Sequence, residues 1–201
     1  MDRLRELFGA RGAKKGPDQQ PPAYPQASPE RINQVIHEVA EKLRRRMYSS
    51  VSGNPQDTAR VVDALVTKFA DDHLILRTAI TKEDGSIDEV RKILTEQVAQ
   101  AIRPEVEQSR LSTMDKFGAF CEGVAVKSDK PIIIILEDLQ NMGVEQDRDS
   151  LIRGIRALFN ERASNPGVDN LTFLLTADRP PDKLLVDPKL TPYNIGEHVT
   201  L

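Results

Sequence analysis

Three features of this 201-residue chain predict an α/β sandwich around a mainly parallel, five-stranded sheet. The run IIIIL at 132–136 has no polar position, so both of its faces must be covered, as in a strand of a parallel sheet. LTFLLTA at 171–177 has nearly the same continuous character. Around these runs the apolar spacing changes to that of amphipathic helices, and such alternation places helices on both faces of a parallel sheet.

Residues 1–27 read as a tail. Pro17, Pro21, Pro22 and Pro25 mixed with glutamine describe an extended linker. Ahead of it, Leu4, Leu7 and Phe8 keep helical spacing in DRLRELF, either as a short docking helix for a partner groove or as a frayed terminus. Residues 28–201 form the domain. Ser28, Pro29 and Glu30 supply a cap, a first-turn proline and an acid at the positive end of a helix dipole. Ile32, Val35, Ile36, Val39, Ala40, Leu43 and Met47 then hold one apolar face. Arg44, Arg45 and Arg46 close the helix, where cations complement its C-terminal dipole.

A first strand over 47–51 leads into SGNPQDTARVV, and a helix is expected from Thr58 to Phe69. HLILRTAI at 73–80 reads as a strand, and SIDEVRKILTEQVAQAI at 86–102 as a helix capped by Ser86. A further helix at about 112–126 carries Cys121 on its apolar side, which marks the thiol as packing. After the strand at 132–136 come a helix at about 148–163, the strand at 171–177, a turn at RPPD, and a last extended piece, GEHVTL.

Composition narrows the function classes. The formal net charge of -3 provides no field for a polyanion and argues against nucleic acid as a partner. The single cysteine allows no intrachain disulfide, which suits a reducing compartment. No apolar run approaches the roughly 20 residues of a membrane span, and the charged N-terminus lacks a signal-peptide core. A cytoplasmic chain with no membrane association is expected. His37, His73 and His198 are too dispersed for a zinc site, and no G-x-S-x-G elbow signals a serine nucleophile.

Ligands of a doubly wound sheet collect at the carboxyl ends of the strands. Three such ends carry polar residues here: the loop after 47–51, Glu137 and Asp138 after the isoleucine run, and Thr176, Asp178 and Arg179 after LTFLL. That trio is the arrangement of a P-loop NTPase-like three-layer sandwich, with a phosphate loop, a metal-linked acid and a sensor. A Walker A loop needs backbone N–H groups around the phosphates, a lysine, and a hydroxyl for magnesium. Gly53 and Thr58 occupy the loop's first and last positions. The loop between them is two residues shorter than G-x-x-x-x-G-K-[ST] allows, its lysine is missing, and Pro55 removes a donor. Asp57 places a negative charge where phosphates would lie and is suited to cap the helix itself. Glu137 precedes Asp138, the reverse of the usual Walker B order, so glutamate stands where magnesium would be held. Acids also end many buried strands simply because the chain reaches water there.

The stretch LIRGIRALFNERASNPGVDNLTFLLTADRPPDKLLVDPKLTPYNIGEHVTL resembles the second half of the AAA-like ATPase domain of bacterial STAND-type signalling proteins. FNERASNP, LTFLLT, DKLL-x-DP and TPYNIGEHVTL carry the likeness over about 130–201, and over 28–129 it rests on element order. The resemblance implies fusion to effector modules such as WD repeats, and a helical lid beyond the last strand that the chain, ending at Leu201, does not contain. It also places Arg162 at a family position, as a finger or as a helix-dipole complement.

The expectation is an inactive NTPase-fold module that serves signalling, as an adaptor or a scaffold. No cofactor is expected, Gly53, Thr58 and Thr176 are the cofactor-binding positions should ATP and magnesium bind, and a protein partner or effector is anticipated, with Leu4, Leu7 and Phe8 as its contact and a homo-oligomer left open. The alternative is a divergent Mg-ATPase in which Glu137 or Asp138 holds magnesium and Arg60 or Lys68 replaces the lost lysine. An accessory protein binding nucleic acid through Arg44–Arg46 and the basic residues of the tail is the third class.

Overall fold

The computed structural model describes residues 24–82, 128–143, 145–165, 168–185 and 196–201, with scattered positions between 85 and 125. Leu4, Leu7 and Phe8 lie outside the described residues, as do most of the helices expected at 86–102 and 112–126; the positions described within those two stretches, Ser86 apart, are helical.

Helix α1 (Pro29–Arg44) starts as its capping residues dictate: the Ser28 hydroxyl accepts the Arg31 N–H at 3.2 Å, and Pro29 costs no hydrogen bond in the first turn. Strand β1 (Tyr48–Ser52) follows, then α2 (Pro55–Phe69), β2 (Leu74–Ala79), β3 (Ile132–Glu137), α3 (Glu145–Glu161), β4 (Leu171–Ala177), the short α4 (Pro181–Leu184) and β5 (Gly196–Thr200). The five strands form one sheet in the order β2-β3-β4-β1-β5, with every pair parallel.

Successive residues of β3 serve opposite layers, as the period of two requires. Ile133 and Ile135 pack with Val35, Val39 and Leu43 of α1 and Val61, Val62 and Leu65 of α2. Ile132, Ile134 and Leu136 pack with Leu151, Ile155 and Leu158 of α3 and with Cys121. The sheet is therefore covered on both faces, which is why its central strands carry no wet position. Among the described residues, no helix is long and apolar enough to cross a membrane.

Four details differ from the sequence expectations. Helix α2 begins at Pro55, not Thr58, because Asn54 caps it: the Asn54 Oδ1 accepts the Gln56 N–H at 2.9 Å. Asp57 is thus inside the first turn and caps nothing. Helix α3 begins at Glu145, and RPPD is not only a turn, since its second proline starts the short helix α4. Residues 24–27, placed with the linker on composition, are described against the domain: Ala27 packs on the α1/α2 layer, and its N–H donates to Asp57.

At the amino ends of the strands, Arg162 closes the structure. Its guanidinium donates to the carbonyl oxygens of Arg46 (2.6 Å) and Leu171 and lies 4.7 Å from the centre of the Tyr48 ring. The Arg44–Arg46 group sits at this same end. Arg46, in the left-handed region at φ 56°, reaches Asp169 at 2.6 Å, and Arg44 pairs with Glu41 and faces the Phe69 ring.

Candidate functional site

The strand order fixes where a ligand can sit. From β1 the chain runs past β4 and β3 to the edge strand β2; from β4 it crosses β1 to reach β5. The direction of winding therefore reverses between β1 and β4, and the crevice beyond their carboxyl ends is the topological switch point. A cleft of about 800 Å³ opens there, lined by Tyr24, Gly53, Asn54, Pro55, Lys82, Asp138, Gln140, Asn141, Asp178 and Arg179.

The β1 side of the cleft is the start of α2, and its amide groups are taken. Pro55 has no N–H. Gln56 N–H goes to the Asn54 side chain at 2.9 Å, and the N–H groups of Asp57 and Thr58 both go to the Asn54 carbonyl at 3.0 Å. The Gly53 N–H donates across the sheet to the Ala177 carbonyl at 3.2 Å. Gly53 is required by close approach and not by a left-handed turn: a Cβ there would lie 2.7 Å from the Leu201 Cβ. The Thr58 hydroxyl is buried and donates back to the Pro55 carbonyl at 3.0 Å. Gly53 thus reaches the cleft, while Thr58 turns into its own helix.

The β3 side separates the two acids. Glu137 is the last residue of the strand and points toward α2, where the Arg77 guanidinium holds it through two bonds of 2.5 and 3.0 Å and also reaches Asp63 at 2.7 Å. Glu137 keeps the Arg77 guanidinium charged well above its ordinary range. Asp138 is the acid that lines the cleft. Its backbone is left-handed, at φ 60° and ψ 45°, a region that an aspartate visits at some cost. The Asp138 N–H donates to the Thr176 hydroxyl at 3.3 Å, and its Oδ1 accepts from the Gln140 side chain at 3.0 Å.

The β4 side is tied to the same network. Gln140 Oε1 accepts the Asp178 N–H at 3.0 Å, so one glutamine joins the ends of β3 and β4. Asp178 takes a bidentate pair from Arg179, at 2.7 and 2.9 Å, which raises the Arg179 pKa. Thr176 is buried behind the cleft and contributes through Asp138.

Arg60 pairs with Asp57 at 3.3 Å, and Lys68 lies in the last turn of α2, at the far end from the cleft. Arg162 lies at the amino ends of the strands, away from the site. Cys121 is fully buried and its thiol pKa is pushed up by that burial. No group of histidine, cysteine and acidic side chains among the described residues could hold a metal ion.

Sequence reasoning missed Lys82, Gln140, Asn54 and Tyr24. The rule that ligands gather beyond carboxyl ends would have found Lys82, which stands just past β2. Tyr24 carried no such signal.

This switch-point sheet has known counterparts. The domain has the fold of an AAA-like P-loop ATPase. Over 92% of its length it superimposes on half of the Aeropyrum pernix ORC2 protein, solved with ADPNP and ADP, at a TM-score of 0.57 and 14% identity. It also superimposes on 89% of a chain from Drosophila ORC bound to DNA, at a TM-score of 0.55, 11% identity and 86% coverage of the domain. Drosophila ORC bound to AT-rich DNA and Cdc6 gives 0.52, at 11% identity, with 86% of this chain covered and 53% of that one. In sequence, 105 residues are 27% identical to an uncharacterized WD repeat-containing protein of Synechocystis, which spans 50% of this chain and 9% of that protein. No known family profile matches.

The structural neighbours overturn one expectation. By whole-chain charge, the value of -3 argues against nucleic acid, yet two of these neighbours were solved on DNA, so this sheet architecture works in DNA-bound assemblies. Net charge fails as a criterion because contact with phosphates depends on local charge, not on the sum over the chain.

Proposed function

We propose that residues 28–201 are an AAA-like module whose phosphate-binding position has become an ordinary helix start, and that it acts as a signalling, adaptor or scaffold unit instead of an ATPase. The carrying observation is the start of α2. Phosphate binding at a helix N-terminus uses unsatisfied N–H groups. Here Gln56, Asp57 and Thr58 have spent theirs on Asn54, Pro55 has none, and Asp57 adds a buried carboxylate. Glu137 is likewise engaged by Arg77.

A STAND-type setting gains support from the WD repeat-containing relative, because that class joins this domain to such modules. On this reading the 1–27 segment, with Leu4, Leu7 and Phe8, recruits a protein partner in the bacterial cytoplasm. Isothermal titration with ATP and magnesium is expected to show no binding; micromolar affinity would sink the proposal.

A second reading, a divergent Mg-ATP switch, is favoured by one observation: the cleft is roomy, and Lys82 and Asp138 both line it. It requires ATP turnover that is lost in Asp138→Ala. Duplex DNA, suggested by what the structural neighbours bind, is tested by fluorescence anisotropy at two salt concentrations, where phosphate contacts weaken as salt rises.

A further inference from the structure

Three observations meet at the segment just before α1. The Ala27 N–H donates to Asp57 Oδ2 at 2.7 Å, across 30 positions of sequence. Asp57 is fully buried, although it is charged and lies three residues past the helix cap. Three residues earlier than Ala27, Tyr24 lines the switch-point cleft together with Gly53, Asn54 and Pro55.

A buried carboxylate is costly unless it is bonded, so a residue is not placed there without a use for it. Asp57 has two partners in view. Arg60 is a long contact of 3.3 Å from a mostly exposed side chain. The Ala27 amide is the short one. The first turn of α2 adds its dipole in favour of the negative charge. Pro25 and Gln26, between the two fixed points, are exposed. The segment is therefore held at Ala27, exposed in its middle, and half-buried again at Tyr24, which lines the cleft.

We propose that residues 24–28 form a strap across the mouth of the switch-point cleft, with Asp57 as its latch and Tyr24 as the plug. With the latch closed, the Tyr24 ring occupies cleft wall that a ligand against Gly53 and Pro55 would need. Breaking the Ala27–Asp57 bond frees the segment back to Ser28, whose capping of α1 does not depend on that bond. A ligand seated against Gly53 and Pro55 then competes with the strap for that part of the cleft. This device is independent of whether nucleotide binds, and its test uses none.

The chain has no tryptophan, so Tyr24→Trp makes a single reporter at the plug. In the full chain its fluorescence should be blue-shifted and resist acrylamide quenching. Adding Ala27→Pro removes the donor while leaving Asp57 untouched; emission should shift to the red and the quenching constant rise several-fold, with the circular dichroism unchanged. Equal quenching in the two proteins overturns the proposal. Should the proline variant fail to fold, amide hydrogen exchange on the unmodified chain decides. Ala27 should exchange far more slowly than the exposed Gln26, and exchange at the same rate overturns the strap.

Discussion

The two ends of the sheet solve opposite problems with similar residues. At the amino ends, Arg162 satisfies two carbonyl oxygens and lies over the Tyr48 ring, so a cation is spent on closing the structure. Burial lowers the Arg162 pKa, the sign of a charge accepted for packing. At the carboxyl ends, Arg179 and Lys82 line a cleft, Asp138 is held in a left-handed backbone, and Gln140 ties one strand end to the next. One end is optimised for stability. The other keeps an opening, and although a left-handed residue stands at each end (Arg46 and Asp138), only Asp138 lines a cleft.

That contrast predicts effects of different size and sign. Arg162→Ala should be the most damaging change, leaving the Arg46 and Leu171 carbonyls without their donor and removing the ring contact, at about 3 kcal/mol in urea unfolding. A loss below about 1 kcal/mol would show that the amino end is not the clamp. Arg77→Ala should cost less, about 1–2 kcal/mol, because the arginine is partly exposed although the Glu137 it leaves behind is buried.

At the cleft the sign reverses. Asp138→Gly should leave stability unchanged or raise it by about 0.5 kcal/mol, since glycine adopts the left-handed backbone without strain, offset by the lost bond to Gln140. A loss as large as that of Arg162→Ala would erase the distinction between the ends. The smallest effect is a pH slope. Burial lowers the pKa of His198, which sits between the Ser50 and Ser52 hydroxyls at 3.0 and 3.1 Å, and Lys42 lowers it further while Asp182 opposes the shift. The unfolded chain then binds the proton more readily than the folded one, so stability falls as pH drops below about 6.5 and is intact above it. His73, also lowered by burial, adds to the slope. Replacing His198 with glutamine should flatten part of that dependence in thermal melts, and an unchanged slope would remove His198 as its source.

Much of the fold was written in periodicity. IIIIL and LTFLLTA are continuous because both faces of a parallel strand are covered, and that alone announces layered helices. The end-of-strand rule also located Gly53, Asp138, Asp178 and Arg179 at one cleft. It could not say that Glu137 turns the other way, because the alternation of a strand assigns a face but not the Arg77 that waits on it. Nor could it choose Asn54 over Asp57 as the cap, since both residues can play that part and only the helix boundary decides between them.

The sequence by itself determined the class of sheet, the apolar faces of α1 and α2, and which strand ends carry polar groups, because these follow from local spacing and burial. Tertiary structure alone decided the strand order, and with it the place of the switch point, since long-range pairing leaves no local trace. It also decided that Asp57 bonds Ala27, 30 positions away, and that Tyr24 lines the cleft, placements made by packing that no local pattern encodes.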